Sequence, residues 1–178
     1  MAATVQHEAV PFVSKSGRTV TLRPCTPDDA PFIAAMYQCL SRDTLYMRYC
    51  SCSPAITGES EAARLCSADP EHRAVVLALC GGEVVGIGEL GRVEGETAEI
   101  ALLVRDDCQG DGMGTALALH MIGVARVMGV ARIQAYTLPD NHAVRRIASK
   151  LPYTVAYERS RGELLVTVDI SRPVVMHS

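Results

Sequence analysis

Between Ala98 and Met128 the chain reads apolar, then glycine-rich, then apolar again with a different period. Ala98–Val104 (AEIALLV) has the character of a buried strand, interrupted by a single carboxylate. From Gly112 onward, Ala116, Leu117, Met121, Val124 and Met128 recur at helical spacing. The connection, R-D-D-C-Q-G-D-G-M-G, places three glycines in five positions. Glycine at that density costs backbone entropy, so the turn must need a bare or left-handed backbone. A further strand pattern, Arg132–Leu138, follows the helix. Strand, helix and strand at this spacing make a right-handed parallel crossover. The unit occurs once, which argues against a doubly wound parallel sheet.

The flanking segments supply antiparallel material. Val20–Pro24 reads as the first strand. Thr26 as N-cap, Pro27 at the first helical position and Asp29 at the third open a helix, on which Ile33, Met36, Tyr37 and Leu40 form one face. Ser41 opens a second short helix through Tyr49, and Glu59–Ala68 holds another turn or two. Ala74–Cys80 and Glu83–Val93 flank the two-residue turn Gly81-Gly82, a hairpin signal. Gly86 and Gly88 inside the return strand indicate a bend or bulge. Beyond the crossover come a helix over Asn141–Lys150 and a closing hairpin, Tyr153–Arg159 with Glu163–Ile170, around S-R-G. The expected fold is α/β of the α+β kind: a mixed, mostly antiparallel central sheet of six or seven strands with helices on both faces. Residues 1–17 read as a flexible N-terminal arm, 18–171 as a single domain and 172–178 as a C-terminal tail.

Composition narrows the function. The net charge of −3 lacks the basic stripe of a nucleic-acid binder. No apolar run approaches the roughly 20 residues needed to span a bilayer, and the N-terminus lacks the basic and apolar regions of a signal peptide. Seven cysteines at irregular spacing fit free thiols in a reducing cytoplasm. Cys50, Cys52, Cys66 and His72 match no usual zinc spacing, so no metal is expected. Cys108, beside a helix N-terminus, is either a thiol of lowered pKa or an ordinary loop residue.

Successive backbone N–H groups in a glycine turn that opens a helix form an anion nest, which suits phosphate. A P-loop would need a lysine after its last glycine, where Met113-Gly114-Thr115 has none. A dinucleotide loop would need G-x-G-x-x-G after the first strand. What remains is Q-x-x-G-x-G at Gln109, Gly112 and Gly114, flanked by T-L-R-P-C-T-P-D-D-A upstream and L-P-D-N-H-A-V downstream. This pattern resembles the acyl-CoA signature of the GNAT acetyltransferase superfamily. The resemblance implies that acetyl-CoA is the cosubstrate, held at its pyrophosphate by Gln109, Gly110, Asp111, Gly112, Met113, Gly114 and Thr115. It further implies contacts along its arm from Leu102, Leu103, Val104 and Asn141. The N–H of Leu103 or Val104 would be the oxyanion donor. Asn141 could equally serve as a helix N-cap. S-R-D-T-L-Y-M-R-Y (Ser41–Tyr49) and the Ala98–Gly114 stretch are similar to bacterial Pat-type protein lysine acetyltransferases, and 178 residues are expected to hold that domain alone. The implied partner is a protein with a reactive lysine, in that subfamily an AMP-forming acyl-CoA synthetase. The chain itself is expected to be a monomer or homodimer.

Transfer to an amine needs an unprotonated amine, and lysine has a pKa near ~10.4, so a base is required. Glu99, the carboxylate inside the apolar strand, is the first candidate; the other reading is an exposed strand end. Glu89 is the second, with a cross-strand pair to Arg92 or Arg105 as its structural alternative. The tyrosine that many family members use as the acid is replaced by Ala148. Asp106 and Asp107 would favour a cationic acceptor, and Tyr46, Arg48 and Tyr49 either contact it or pack their helix down. A small-molecule amine or N-terminal acetyltransferase, and a non-catalytic acyl-CoA sensor, remain open.

Overall fold

Strands reverse where glycine pairs and short polar turns permit it, and eight of them assemble into one sheet. The computed structural model describes residues 9–51 and 53–174. The strands are β1 (Val10–Val13), β2 (Thr19–Pro24), β3 (Arg73–Cys80), β4 (Glu83–Glu94), β5 (Thr97–Val104), β6 (Arg132–Thr137), β7 (Thr154–Ser160) and β8 (Glu163–Asp169). Their order is β1-β2-β3-β4-β5-β6-β8-β7. β5 and β6 run parallel, and the other neighbours are antiparallel. The helices are α1 (Ala30–Gln38), α2 (Arg42–Tyr49), α3 (Gly58–Cys66), α4 (Met113–Val127) and α5 (His142–Ala148). No helix among the described residues is long and apolar enough to cross a membrane.

Two apolar layers sandwich the sheet. Ile33, Met36, Ala62 and Leu65 of α1 and α3 pack on Val75, Leu77, Ile87 and Leu103. On the other face Leu117, Met121 and Val124 of α4 pack on Val76, Leu90, Ala98 and Ile133. α5 buries Ala148 against Leu164 and Val166 of β8.

The eighth strand is the extra one. Val10–Val13, read from sequence as loose arm, pairs antiparallel with β2, Val10 opposite Leu22 and Val13 opposite Thr19. V-P-F-V is short and carries a proline, which an edge strand tolerates because one side of it needs no donor. Residues 1–8 of the expected arm and residues 175–178 of the expected tail lie outside the described residues, while residues 14–17 form the turn into β2. Within the tail Val174 donates its N–H to Pro152 O at 2.9 Å.

The bulge expected from Gly86 and Gly88 falls beside Gly86. Ala78 pairs with Gly86 and Leu79 with Val84, which leaves Val85 as the extra residue, while Gly88 keeps regular register with Val76 and Leu102. A Cβ on Gly88 would stand 2.9 Å from Met121 Cγ, and one on Gly86 3.0 Å from Leu117 Cδ1. These glycines let α4 lie close on the sheet.

Candidate active site

The glycine turn is built from backbone geometry that L side chains resist. Gly110 has φ +74° and Gly112, the N-cap of α4, has φ +92°. A Cβ on Gly110 would find nothing within 4 Å, and one on Gly112 nothing nearer than Lys15 Cγ at 3.9 Å. The space on the Cβ side of both glycines is therefore open. Gly114 is needed differently, since its Cβ would press on Ile147 Cδ1 of α5 at 2.8 Å. Gln109 turns its amide inward, donating to Val104 O at 3.0 Å and Thr44 Oγ1 at 3.1 Å. Met113 is buried beneath the turn.

The Asp111 side chain faces away from any ligand task. Its carboxylate accepts from Ser16 N at 2.7 Å and Ser16 Oγ at 2.6 Å, and its carbonyl accepts from Lys15 N at 3.1 Å. Hydrogen bonds from Ser16 and Ser14 lead the causes that hold its pKa below the ordinary carboxylate value. The β1–β2 hairpin thus clasps the loop, a contact across 95 residues that no local motif announces.

β5 and β6 pair only at Thr97–Arg132, Ala98–Ile133 and Glu99–Gln134. Beyond that rung they diverge, opening a wedge from Glu99 to the end of β5 at Val104, five residues or about 17 Å at strand rise. Arg105 N–H bonds Val85 O, so strand alternation turns the Leu103 N–H toward β4 as well. The N–H groups of Leu102 and Val104 face the wedge. Leu103, expected as an oxyanion donor, instead buries its side chain under α1 and α3.

Glu99 and Glu89 share one sheet face. Glu89 opposes Ala101 and Gly91 opposes Glu99, which sets the two carboxylates on a diagonal about 7 Å apart at Cβ. The small residues Gly91 and Ala101 leave a cavity of about 340 Å³, walled by Arg48, Tyr49, Arg64 and Arg73. Glu99 is exposed at its rim and has no hydrogen-bond or ion-pair partner among the described residues.

Glu89 is gripped. Arg64 approaches it at 2.5 and 2.9 Å, Arg48 at 3.1 Å and Arg73 at 3.2 Å. Burial pushes its pKa up, but the Arg64 hydrogen bonds and the charges of Arg64, Arg48 and Arg73 outweigh burial and hold it below the ordinary value. Arg92 and Arg105, the partners expected from sequence, go elsewhere. Arg92 donates to Gly95 O and Met128 O, and Arg105 pairs with Glu83 and Asp107. Behind Arg64 stands the buried Glu61, which also accepts from Tyr49 Oη at 2.8 Å. Because the Tyr49 proton goes to Glu61, Tyr37 donates to Tyr49 across 2.5 Å. Burial, the leading cause, raises both phenol pKa values and keeps them neutral. Arg48 and Tyr49 are committed inward, while Tyr46 is exposed. The Glu61–Arg64 spacing (i, i+3) was the sequence signal for this network; its junction with Glu89 had none.

The GNAT acetyltransferase domain family matches residues 19–154, most of the chain. The chain belongs to the GNAT acetyltransferase family. Members of this family use acetyl-CoA. Acetyltransferase Pat of Mycolicibacterium smegmatis is 31% identical over 166 residues, covering 90% of this chain and 49% of that protein. The chain therefore spans about half the length of this relative. The GNAT domain of S. lividans PAT superposes with a TM-score of 0.82 at 28% identity, over 90% of this chain and 96% of that one. Mycobacterium smegmatis RimJ in complex with CoA-disulfide shares the fold at TM-score 0.69 and 19% identity, over 95% and 90% of the two chains.

The GNAT frame gives the remaining expected residues clear surroundings. Asn141 caps α5: its Oδ1 accepts from Val144 N at 3.3 Å and its amide donates to Thr137 Oγ1 at 2.8 Å, leaving one amide hydrogen. Ala148 is buried, so no acid stands at that position. Cys108 is also buried, and burial first, then Asp107, raises its thiol pKa, which removes the reading of an activated thiol. Asp106 accepts from Ser41 N, Ser41 Oγ and Thr44 Oγ1, and Asp107 from Arg105. Both are exposed and tie the base of the loop, Asp107 through the cation of Arg105 and Asp106 through neutral donors alone. The residues present fit acetyl-CoA: an open turn with bare amides stands at the mouth of a wedge whose vertex meets a free carboxylate.

Proposed function

We propose that this GNAT domain transfers acetyl from acetyl-CoA to the side-chain amine of a protein lysine, with Glu99 as general base. The carrying observation is the contrast between two carboxylates on one face. Glu89 is saturated by three arginines, whereas Glu99 stands unpartnered at the vertex of the β5–β6 wedge, open to the cavity. A carboxylate that already holds three guanidinium groups is the poorer proton acceptor of the two.

The amides of Gly110–Thr115, the Gln109-braced turn and the α4 N-terminus would hold the pyrophosphate. Asn141 can offer its remaining amide hydrogen to the arm. When bound, acetyl-CoA supplies the thioester carbonyl that an amine attacks. The N–H of Leu102, facing the wedge, is placed to stabilise charge developing on that carbonyl oxygen. Glu99 removes the amine proton, directly or through water, and a thiolate of pKa near ~8.5 departs without a strong acid, consistent with Ala148. The resemblance of Ser41–Tyr49 to Pat-type protein lysine acetyltransferases supports the lysine reading and an AMP-forming acyl-CoA synthetase as acceptor, and free cysteines suit a reducing cytoplasm.

The test is incubation with labelled acetyl-CoA and a purified AMP-forming acyl-CoA synthetase, beside its active-site Lys→Arg variant. Label on the wild-type synthetase alone is expected. Label only on small amines or α-amino groups would overturn the lysine assignment, and no transfer to any amine would leave an acyl-CoA sensor. Glu99→Gln should lower kcat about 10²- to 10³-fold with CoA affinity within about twofold of wild type; wild-type turnover would remove Glu99 as base.

A further inference from the structure

The hairpin clasp carries one more assignment, resting on the acetyl-CoA reading above. The family match begins at residue 19, so Ser14–Arg18 lies outside the matched domain, yet it makes five hydrogen bonds to residues 107–111. Ser16 binds the Asp111 carboxylate twice, Lys15 N–H binds Asp111 O, and Arg18 Nη1 donates to Cys108 Sγ at 3.1 Å. These contacts place the Lys15 side chain directly over Gly112. Its Cγ and Cε lie 3.9 and 4.0 Å from where a Gly112 Cβ would be. That is the side of the turn that glycine keeps bare.

The charges are arranged to match. Asp111 is the anion nearest the turn, and Ser16 holds its carboxylate on the hairpin. Lys15 is exposed and makes no ion pair among the described residues. A clasp that secures the acid and brings a free ammonium over bare amides prepares the turn for a dianion.

We infer that Lys15, delivered by the β1–β2 hairpin, is a cofactor-binding residue that contacts the pyrophosphate of acetyl-CoA, with Asp111 and Ser16 as the positioning pair. The Lys15 ammonium supplies a mobile point charge where the amides supply fixed dipoles.

The test is calorimetric titration of the full chain with CoA and with 3′-dephospho-CoA, at low salt and near 1 M salt. Lys15→Ala should weaken both ligands about fivefold at low salt, as one exposed charge contact does. Lys15→Arg should retain most affinity, and the deficit of Lys15→Ala should shrink near 1 M salt, where the Debye length is about 3 Å. Unchanged affinity in Lys15→Ala at low salt would overturn the assignment. So would a deficit that persists at high salt, which marks stem packing, or one confined to CoA, which marks the 3′-phosphate. Wild-type protein that binds neither ligand would instead overturn the acetyl-CoA reading itself. An unaltered melting temperature for Lys15→Ala separates lost binding from lost fold.

Discussion

Glu89 and Glu99 lie diagonally across β4 and β5, on the same face, and their neighbours give them opposite surroundings. Glu89 has 12% of its side chain exposed and three guanidinium partners. Glu89→Gln leaves Arg48, Arg64 and Arg73 facing an amide, and should cost roughly 2 kcal/mol, at the lower end for breaking a mostly buried pair because Arg64 and Arg73 are partly solvated. For a domain of this size that lowers Tm by about 4–8 °C at pH 7. Glu99→Gln should move Tm by no more than about 2 °C, as for an unpartnered surface group. Equal melting temperatures for the two variants would contradict this division. The Glu89 pKa is lowered on folding, so its stabilisation is complete above the unfolded carboxyl pKa of about 4.3 and fades as pH falls below it. Both carboxylates were visible as candidates in the sequence. The surroundings of Glu89 were not readable there, because the arginines that pair with it come from α2, α3 and β3.

At the scale of elements, local signals carried the helix starts. Thr26-Pro27-Asp28-Asp29 announced the entry to α1, and the structure shows why it holds. Asp29 accepts from Thr26 N and Thr26 Oγ1, both at 2.8 Å, and from Arg23 at 2.6 and 2.7 Å. The Arg23 hydrogen bond leads the causes that hold the Asp29 pKa down to about 2, with the Thr26 bonds adding to it. The carboxyl is buried, so its ionisation is linked to folding. The pKa is depressed, so the stabilisation is full above the unfolded value near 3.9 and is lost as pH falls through about 2. Asp29→Asn should cost about 2 kcal/mol at pH 7, with the difference narrowing between about pH 4 and pH 2. Urea unfolding of both proteins at pH 7 and pH 2.5 measures it, and a difference independent of pH would refute the linkage. β1 shows the reverse case. Four residues with one proline fall below what alternation can signal, and their strand character comes from β2 and the Asp111 clasp.

Across the whole molecule, α4 ties the glycine turn to the sheet through absent side chains. Gly86 and Gly88 bring Leu117 and Met121 against β4, and Gly114 brings Ile147 of α5 against the start of α4. Gly88→Val would drive two methyls into Met121 and should destabilise the protein by about 2–3 kcal/mol, within the overpacking range. Met121 can yield at its flexible end, so a second substitution, Met121→Ala on the Gly88→Val background, should recover part of the loss. Thermal unfolding of the single and double variants checks this, and additive losses would show that the two sites do not touch.

From residues alone came the alternation of strands and helices, the single parallel crossover, the capped helix starts and the glycine turn. Each depends on neighbours within a few positions, through φ preferences, capping or apolar period. Folding supplied what depends on residues far apart. It inserted β8 between β6 and β7, parted β5 from β6 after Glu99, turned the Leu103 amide toward β4, closed three arginines on Glu89 and laid Lys15 over Gly112. Hydrogen-bond register and charge pairing across the sheet set these, and neither is written in local spacing.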